Sequence, residues 1–313
     1  MSTDRLGNIE KAVLATLPAD RRPTEAEVLA MASAMRNAFP VSDEEFGLLI
    51  KRLHSKLAIT MDIGTALYEQ DHMPWLLARQ PDIVPFYWDR FRTWLGRLEW
   101  PPLVVNTLDR VTDDILDLAG DPVRKGAWHR RGLVVGDVQS GKTATYTALA
   151  CKAADAGFRL VILLTGTLES LRRQTQERLD EGFVGLDSSE ILQQVRNRTN
   201  RVVGVGLVDQ QRAAGVFTSR SRDFNKQLLT SLGFRLDAFQ EPVLVVLKKN
   251  RTILQNLEHW LRSYNAGDDG KISAPLLLID DEADSASINT NPQSASPTSI
   301  NERIRALLAL FHQ

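Results

Sequence analysis

The sequence has very little cysteine and no excess of either charge. Cys151 is the only cysteine among 313 residues, which excludes a disulfide framework and a cysteine-rich metal site. Lys and Arg together number 38 and Asp and Glu number 39, so the formal net charge at pH 7 is -1. A chain without an overall basic field can bind nucleic acid only through a local basic surface.

Long apolar runs are also missing. No segment reaches the ~18 apolar residues of a transmembrane helix, and the first residues lack the apolar run of a secretory signal peptide. The five histidines show no ligand spacing with one another or with Cys151, so we expect no structural metal. Hydrophobic residues make up 43% of the chain and charged residues 25%, as in globular proteins. We therefore expect a cytoplasmic protein without a membrane partner.

Residues 1–120 are predicted to form a helical N-terminal domain. Two segments begin with capping-box spacing, Thr24 with Glu27 and Ser42 with Glu45. Apolar residues then recur at helical spacing, as they do again in residues 104–118. The aromatic residues 86–95 have two interpretations, a stacking platform for bases or a helix packed against the next domain. Their helical spacing favours packing.

The second part of the chain, residues 121–313, contains short apolar runs that alternate with helical segments. The runs are 133–135, 160–164, 202–208, 243–247 and 276–279. The helical segments are 144–156, 169–179, 253–264 and 300–311. Apolar runs without alternation are typical of strands buried on both faces, so the pattern predicts an α/β fold with a parallel sheet. The polar residues 209–241 fit this pattern least and are predicted to be a surface insertion.

A phosphate-loop pattern follows the first apolar run. It consists of Gly136, Asp137, Val138, Gln139, Ser140, Gly141, Lys142 and Thr143. In such a loop, backbone N–H groups face phosphate oxygens, and the N-terminus of the next helix adds partial positive charge. Lys142 is predicted to reach the β- and γ-phosphates, and the Thr143 hydroxyl to ligate Mg²⁺. The sequence therefore predicts ATP and Mg²⁺ as ligands.

Three carboxylates, Asp280, Asp281 and Glu282, follow the apolar run 276–279 directly. Such groups at the end of a buried strand are unfavourable unless they face a cation or water. Asp281 is predicted to hold Mg²⁺ through water, and Glu282 to orient and activate the attacking water. A shift of one residue would give the metal-side role to Asp280.

These motifs resemble known proteins. Residues 281–284, Asp-Glu-Ala-Asp, resemble the second motif of superfamily-two helicases, and residues 165–175 resemble their motif Ia region. Four blocks are similar to the Z-one domain family, bacterial proteins named as endonucleases that have a helicase-like ATPase: 131–143, 152–157, 174–185 and 277–290. The resemblance covers residues 85–311. It implies a RecA-like ATPase lobe and, because family members occur beside restriction and anti-phage genes, a DNA-directed defence role.

Loops after the strands of a helicase-like lobe contact the nucleic-acid backbone, so polar and basic residues there are candidate contacts. They are Thr165, Thr167, Arg172, Arg173, Lys248, Lys249 and Asn250. Basic residues at 124–131 are a further candidate cluster. Each cluster is equally consistent with ordinary solvated charges. No carboxylate arrangement typical of a nuclease is evident.

The resemblance also implies that part of the ATP site lies elsewhere. Superfamily-two enzymes bind ATP between two RecA-like lobes, and the second lobe supplies an arginine. The residues after Glu282 are fewer than the ~50 that a compact domain needs. We therefore expect a first lobe, completed by a second lobe in a missing C-terminal part or in another chain. Two alternatives remain, a nucleotide-dependent switch that binds a partner protein and a kinase or metabolic enzyme, which the Asp-Glu-Ala-Asp block disfavours.

Overall fold

The computed structural model describes residues 5–18, 23–57, 72–135, 141–191, 201–231, 235–290 and 297–313. It is an α/β protein with a four-stranded sheet whose strands are all parallel. The strands are β1 (Leu160–Thr165), β2 (Gly215–Val216), β3 (Val243–Lys248) and β4 (Leu276–Asp280). Their order across the sheet is β2-β3-β1-β4.

Helices precede the sheet and connect its strands. They are α1 (Arg5–Thr16), α2 (Glu25–Ala38), α3 (Asp43–Leu57), α4 (Leu76–Arg79), α5 (Phe86–Arg97), α6 (Pro102–Ala119), α7 (Lys142–Ala156), α8 (Glu169–Leu179), α9 (Ser188–Ile191), α10 (Lys226–Ser231), α11 (Arg251–Asn265) and α12 (Ser299–Leu308). A π-helical turn, Asp180–Val184, extends α8. Within the described ranges, every helix is too short or too polar to cross a membrane.

The central strands β1 and β3 are buried on both faces, as their apolar runs predict, whereas β4 at the edge of the sheet is partly exposed. All six residues of β1 are buried. Val161 and Leu163 pack in the same cluster as residues of α5 and α7, whereas Leu160 and Ile162 pack on the other side with residues of α11 and α12. Strands β1, β3 and β4 are aligned, with Leu160 beside both Val243 and Leu276. Their carboxyl ends therefore meet at one edge of the sheet, where parallel α/β folds place ligand-binding groups.

The helices α1 to α3 form a small core of their own, which includes Val104 of α6. Both predicted capping boxes are present. Thr24 N–H donates to Glu27 at 2.8 Å, and Ser42 N–H donates to Glu45 at 2.8 Å. In each case the hydroxyl accepts from the backbone N–H of the glutamate. These bonds satisfy N–H groups that the first turn of a helix leaves without partners.

The aromatic helix α5 packs against α7, as its helical spacing predicts. Tyr87, Trp88 and Phe91 are buried in the core between α5, α7 and the sheet. The Asp155 carboxylate, at the end of α7, accepts hydrogen bonds from the backbone N–H groups of Tyr87 and Trp88 at 2.9 and 2.8 Å. It therefore caps α5 from another helix. The helices α5 and α6 share a core with the sheet. The domain boundary predicted at residue 120 stays a prediction.

Residues 133–135 are not a strand, contrary to the prediction. Leu133, Val134 and Val135 are 80%, 59% and 85% exposed. A strand requires a neighbouring backbone to accept and donate its hydrogen bonds. Within the described part of the chain no such backbone lies beside them, and β4 is the last strand on its side of the sheet.

The strand predicted at residues 202–208 is also absent, and a short helical turn, Gly204–Leu207, takes its place. Gly204 has a φ of +50° and lies so close to the π-helical turn that a Cβ atom would be 1.9 Å from the Glu181 carbonyl oxygen. An apolar run alternating with glycine therefore forms a buried turn. The structure instead has a strand that the sequence did not predict, β2, which lies inside residues 209–241. The prediction of a surface insertion there was wrong, since Val216 and Phe217 are buried.

Asp155 generates a prediction about the pH dependence of stability. Burial raises its pKa to about 7, from 3.8, despite the hydrogen bonds from Trp88 and Tyr87. The folded protein therefore binds this proton more tightly than the unfolded chain, and the carboxylate reduces stability as the pH rises from about 4 to about 7. The Asp155→Asn variant lacks this titration. We therefore expect its unfolding free energy, relative to that of the wild type, to increase by on the order of 2 kcal/mol as the pH rises from about 4 to about 7.

The measurement is urea unfolding of both proteins at several pH values between 4 and 8. Asp237→Asn, which changes an exposed carboxylate outside the contact between α5 and α7, is the matched control. Parallel pH curves for Asp155→Asn and the wild type would contradict the prediction.

Candidate functional site

The N-terminus of α7 carries the described end of the phosphate-loop pattern. Gly141 has a φ of +74°, a left-handed conformation that favours glycine, and Lys142 and Thr143 are the first residues of the helix. Gly141, the residue before the helix, has no side chain that could accept from the first N–H groups. Backbone N–H groups at such a helix end are the donors of helix-terminal phosphate sites. The loop residues Gly136, Asp137, Val138, Gln139 and Ser140 lie outside the described residues, and their roles stay predictions.

The Thr143 side chain contacts a cation of the next helix. Arg178 of α8 donates to its hydroxyl oxygen at 2.8 Å. Burial raises the pKa of the Tyr146 phenol, which lies one turn further along α7. The helix itself packs on β4, because Leu149 and Ala153 share a buried cluster with Leu277.

The acidic residues after β4 form a tight turn at the carboxyl edge of the sheet. The Asp281 N–H donates to the Leu164 carbonyl oxygen at 2.9 Å, which ties the turn to the end of β1. The Glu282 N–H donates to the Asp281 carboxylate at 3.1 Å. Glu282 has a φ of +56°, a strained conformation for a residue other than glycine. Strain of this kind is retained where the surrounding structure fixes it, often at functional sites.

A buried lysine holds this acidic turn. The Lys249 side chain is completely buried, and its Nζ lies 2.8 Å from the Asp280 carboxylate. The same Nζ donates to the carbonyl oxygens of Asp281 and Glu282 at 2.7 and 2.6 Å. The two carbonyl oxygens accept hydrogen bonds, and the Asp280 carboxylate supplies the opposite charge. The Asp280 carboxylate is used by this pair, which favours Asp281 for the metal-side role.

The Glu282 side chain lies against the end of β1. A Cβ atom on Gly166 would be 2.8 Å from its Oε2, so only glycine at this position allows the carboxylate its observed place. The carboxylate is thereby held near the strand end on an exposed turn, accessible to water. This placement fits the role predicted for Glu282, which stays a prediction.

Three of the predicted nucleic-acid contacts are internal residues, and the structure corrects their roles. Thr165 is 1% exposed and donates to the Leu247 carbonyl oxygen. Arg172 is completely buried and donates to the carbonyl oxygens of Ser219 and Arg220 at 2.8 and 3.2 Å. Lys249 holds the acidic turn. The predicted contacts require these side chains to face outward, whereas in the structure they bond to backbone carbonyl groups that burial removes from water.

The other four candidates are at least partly accessible. Lys248 pairs with Glu169 at 3.1 Å, and Asn250 caps α11 by accepting from the N–H groups of Thr252 and Ile253. Thr167 and Arg173 are exposed. The accessible set at this edge is therefore smaller than the sequence predicts, and Arg173 is its most exposed cation.

Sequence reasoning missed a groove beside Arg173. It has a volume of about 350 Å³ and is lined by Ser170, Arg173, Gln174, Glu177 and Arg220. Arg220 lies in the turn after β2, which the buried Arg172 holds in place. The two Ser-Arg pairs at residues 219–222 were a possible signal, but they fall in the segment interpreted as a surface insertion.

The described residues contain no group of three or more His, Cys, Asp or Glu side chains that could hold a metal ion. A magnesium site of the predicted kind needs no such group, because phosphate oxygens and water supply most of its ligands. Comparison with protein-family models, curated proteins and solved structures found no match to this chain. The functional assignment therefore depends on the residues and their geometry.

The buried Lys249 generates a stability prediction. Lys249→Met removes a buried cation and leaves the partly exposed Asp280 carboxylate without its partner, so we expect the unfolding free energy to fall by about 2–3 kcal/mol. Lys248→Met, which breaks a partly exposed pair one residue earlier, is the matched control and is expected to cost less than about 1 kcal/mol. Urea unfolding at pH 7 measures both. Similar losses for the two variants would refute the role of Lys249.

Proposed function

We propose that this chain is the ATP-binding lobe of a DNA-directed ATPase of the superfamily-two helicase type, with a RecA-like fold. The observation that carries the proposal is the meeting of two motifs at one edge of a parallel sheet. The helix α7 begins at Lys142 and Thr143 and packs on β4, the strand that ends at Asp280, through Leu149, Ala153 and Leu277. These motifs lie far apart in the sequence, and a nucleotide site of this class requires both.

The residues fit a bound Mg-nucleotide. The first N–H groups of α7 and the Lys142 ammonium would face the phosphates, while the Thr143 hydroxyl and the Asp281 carboxylate would hold Mg²⁺. The metal, when bound, neutralises the charge that develops on the phosphates. Glu282 would accept a proton from the attacking water, and its exposed position beside Gly166 leaves room for that water.

DNA is the nucleic acid that we propose as partner, and this part depends on the resemblance to the Z-one domain family. The outer face of α8 supports a contact with the sugar-phosphate backbone, since it carries Arg173 beside Arg220. A second RecA-like lobe would complete the ATP site, and a role in anti-phage defence follows from the same resemblance.

A switch that binds a partner protein is the second candidate, and the packing of α7 favours it. This helix carries the nucleotide residues at its start and holds α5 and α6 through Asp155 and Lys152 nearer its end. A shift of α7 on nucleotide binding would therefore reach the helical region directly. In this alternative, ATP binding changes the position of the helical region, and the protein does not move along DNA.

Nucleotide binding is the first test. We expect the chain to bind a fluorescent ATP analogue with Mg²⁺, measured by anisotropy, and Lys142→Ala to weaken binding by at least about 10-fold, because a charge-assisted contact with phosphate is lost. Lys51→Ala removes an exposed cation of α3 and is the control. No binding by the wild type, or equal affinities for Lys142→Ala and the wild type, would overturn the proposal.

DNA binding separates the two candidates. If DNA is the partner, Arg173→Ala should weaken the binding of a labelled oligonucleotide. It should also reduce the slope of the logarithm of the binding constant against the logarithm of the salt concentration by about 1, as expected for the loss of one phosphate contact. Arg305→Ala, an exposed arginine of α12, is the control. Absence of DNA binding, together with nucleotide-dependent hydrogen exchange in α5 and α6, would instead support the switch.

A further inference from the structure

Arg178, which the sequence did not single out, is in direct contact with the nucleotide residues. It lies in the last turn of α8, on the face opposite the buried Arg172 and Leu179. Its Nη1 donates to Thr143 Oγ1 at 2.8 Å across 35 residues of sequence. The hydroxyl predicted to ligate Mg²⁺ is thus a partner of a cation from another helix.

The charge of Arg178 has no carboxylate partner in the described part of the chain. Arg172, on the same helix, pairs with Glu169, and Arg220 beside it pairs with Glu177 and Asp180. Among the described residues, Arg178 bonds to the neutral Thr143 hydroxyl, which takes one of its five N–H donors. A guanidinium beside the N-terminus of a helix is suited to an anion.

We propose that Arg178 binds the γ-phosphate of ATP and makes the site selective for triphosphate over diphosphate. The inference rests on the proposed nucleotide site. Mg²⁺ and the guanidinium cannot share one hydroxyl oxygen without repulsion, so binding of Mg-ATP frees Thr143 for the metal and turns Arg178 to the phosphate.

The γ-phosphate is the group that this arrangement leaves for Arg178. The loop backbone and the start of α7 surround the β-phosphate in sites of this class, and Lys142 reaches between the two. The terminal phosphate carries the most charge, and the planar guanidinium can bind two of its oxygens together. The contact comes from the same lobe, in addition to any arginine of a second lobe.

The test compares two nucleotides. Affinities for fluorescent ATP and ADP analogues are measured with Mg²⁺ for the wild type, Arg178→Ala and Arg178→Lys. We expect Arg178→Ala to weaken ATP binding by about 10- to 100-fold and ADP binding by less than about 3-fold, and Arg178→Lys to recover part of the loss. The control Arg305→Ala should change neither affinity.

The outcomes separate this inference from the proposed function. Equal losses for ATP and ADP, or no loss for either, would overturn the role of Arg178 while leaving the nucleotide site in place. Failure of the wild type to bind either nucleotide would overturn both. Thermal unfolding of Arg178→Ala checks that this exposed side chain is not needed for folding. If Arg178→Ala does not fold, the comparison of ATP with ADP is made with Arg178→Lys instead.

Discussion

One buried ammonium group organises the edge of the sheet on which the candidate site depends. Lys249 leaves the end of β3 and bonds to the acidic turn after β4, so that neighbouring segments on either side of β1 are held together. Burying a charge is unfavourable unless it is paired and hydrogen-bonded, and here Asp280 supplies the opposite charge while two carbonyl oxygens accept hydrogen bonds. The strained backbone of Glu282 persists because this clamp fixes the carbonyl groups around it.

A second group of buried charges connects the helical region to the sheet. Asp155 and Lys152, both in α7, bond to the start of α5 and to Asp109 and Asp113 of α6. Lys152 also lies over the Trp88 ring at 4.7 Å, a cation–π contact. The second half of the helix that begins at the candidate phosphate site is therefore held by α5 and α6. In the proposed switch, a shift of α7 would move these two helices. In the proposed motor lobe, the same contacts would keep α7 in place.

Patterns that depend on local chemistry predicted the fold well. Both capping boxes, helix α8 and strands β1, β3 and β4 occur where period and composition indicate, because each depends on residues close in the sequence. The predictions failed where a distant backbone decides the outcome. Residues 133–135 have the composition of a strand but no described neighbour, and residues 202–208 form a turn because the glycines pack on the Asp180–Val184 segment. A run of apolar residues does not specify which backbone it pairs with, or whether it pairs at all.

The sequence alone determined the chemistry that the site can contain: a phosphate-loop pattern, a strand ending in carboxylates, and too little cysteine or excess charge for other classes of site. Only the tertiary structure decided which side chains face that site. It turned Arg172 and Lys249 inward, onto backbone carbonyls, and it brought Arg178 to Thr143. The reason is that spacing along the chain specifies residue type and helix face, whereas the direction of a long cationic side chain depends on which acceptors lie within its reach after folding.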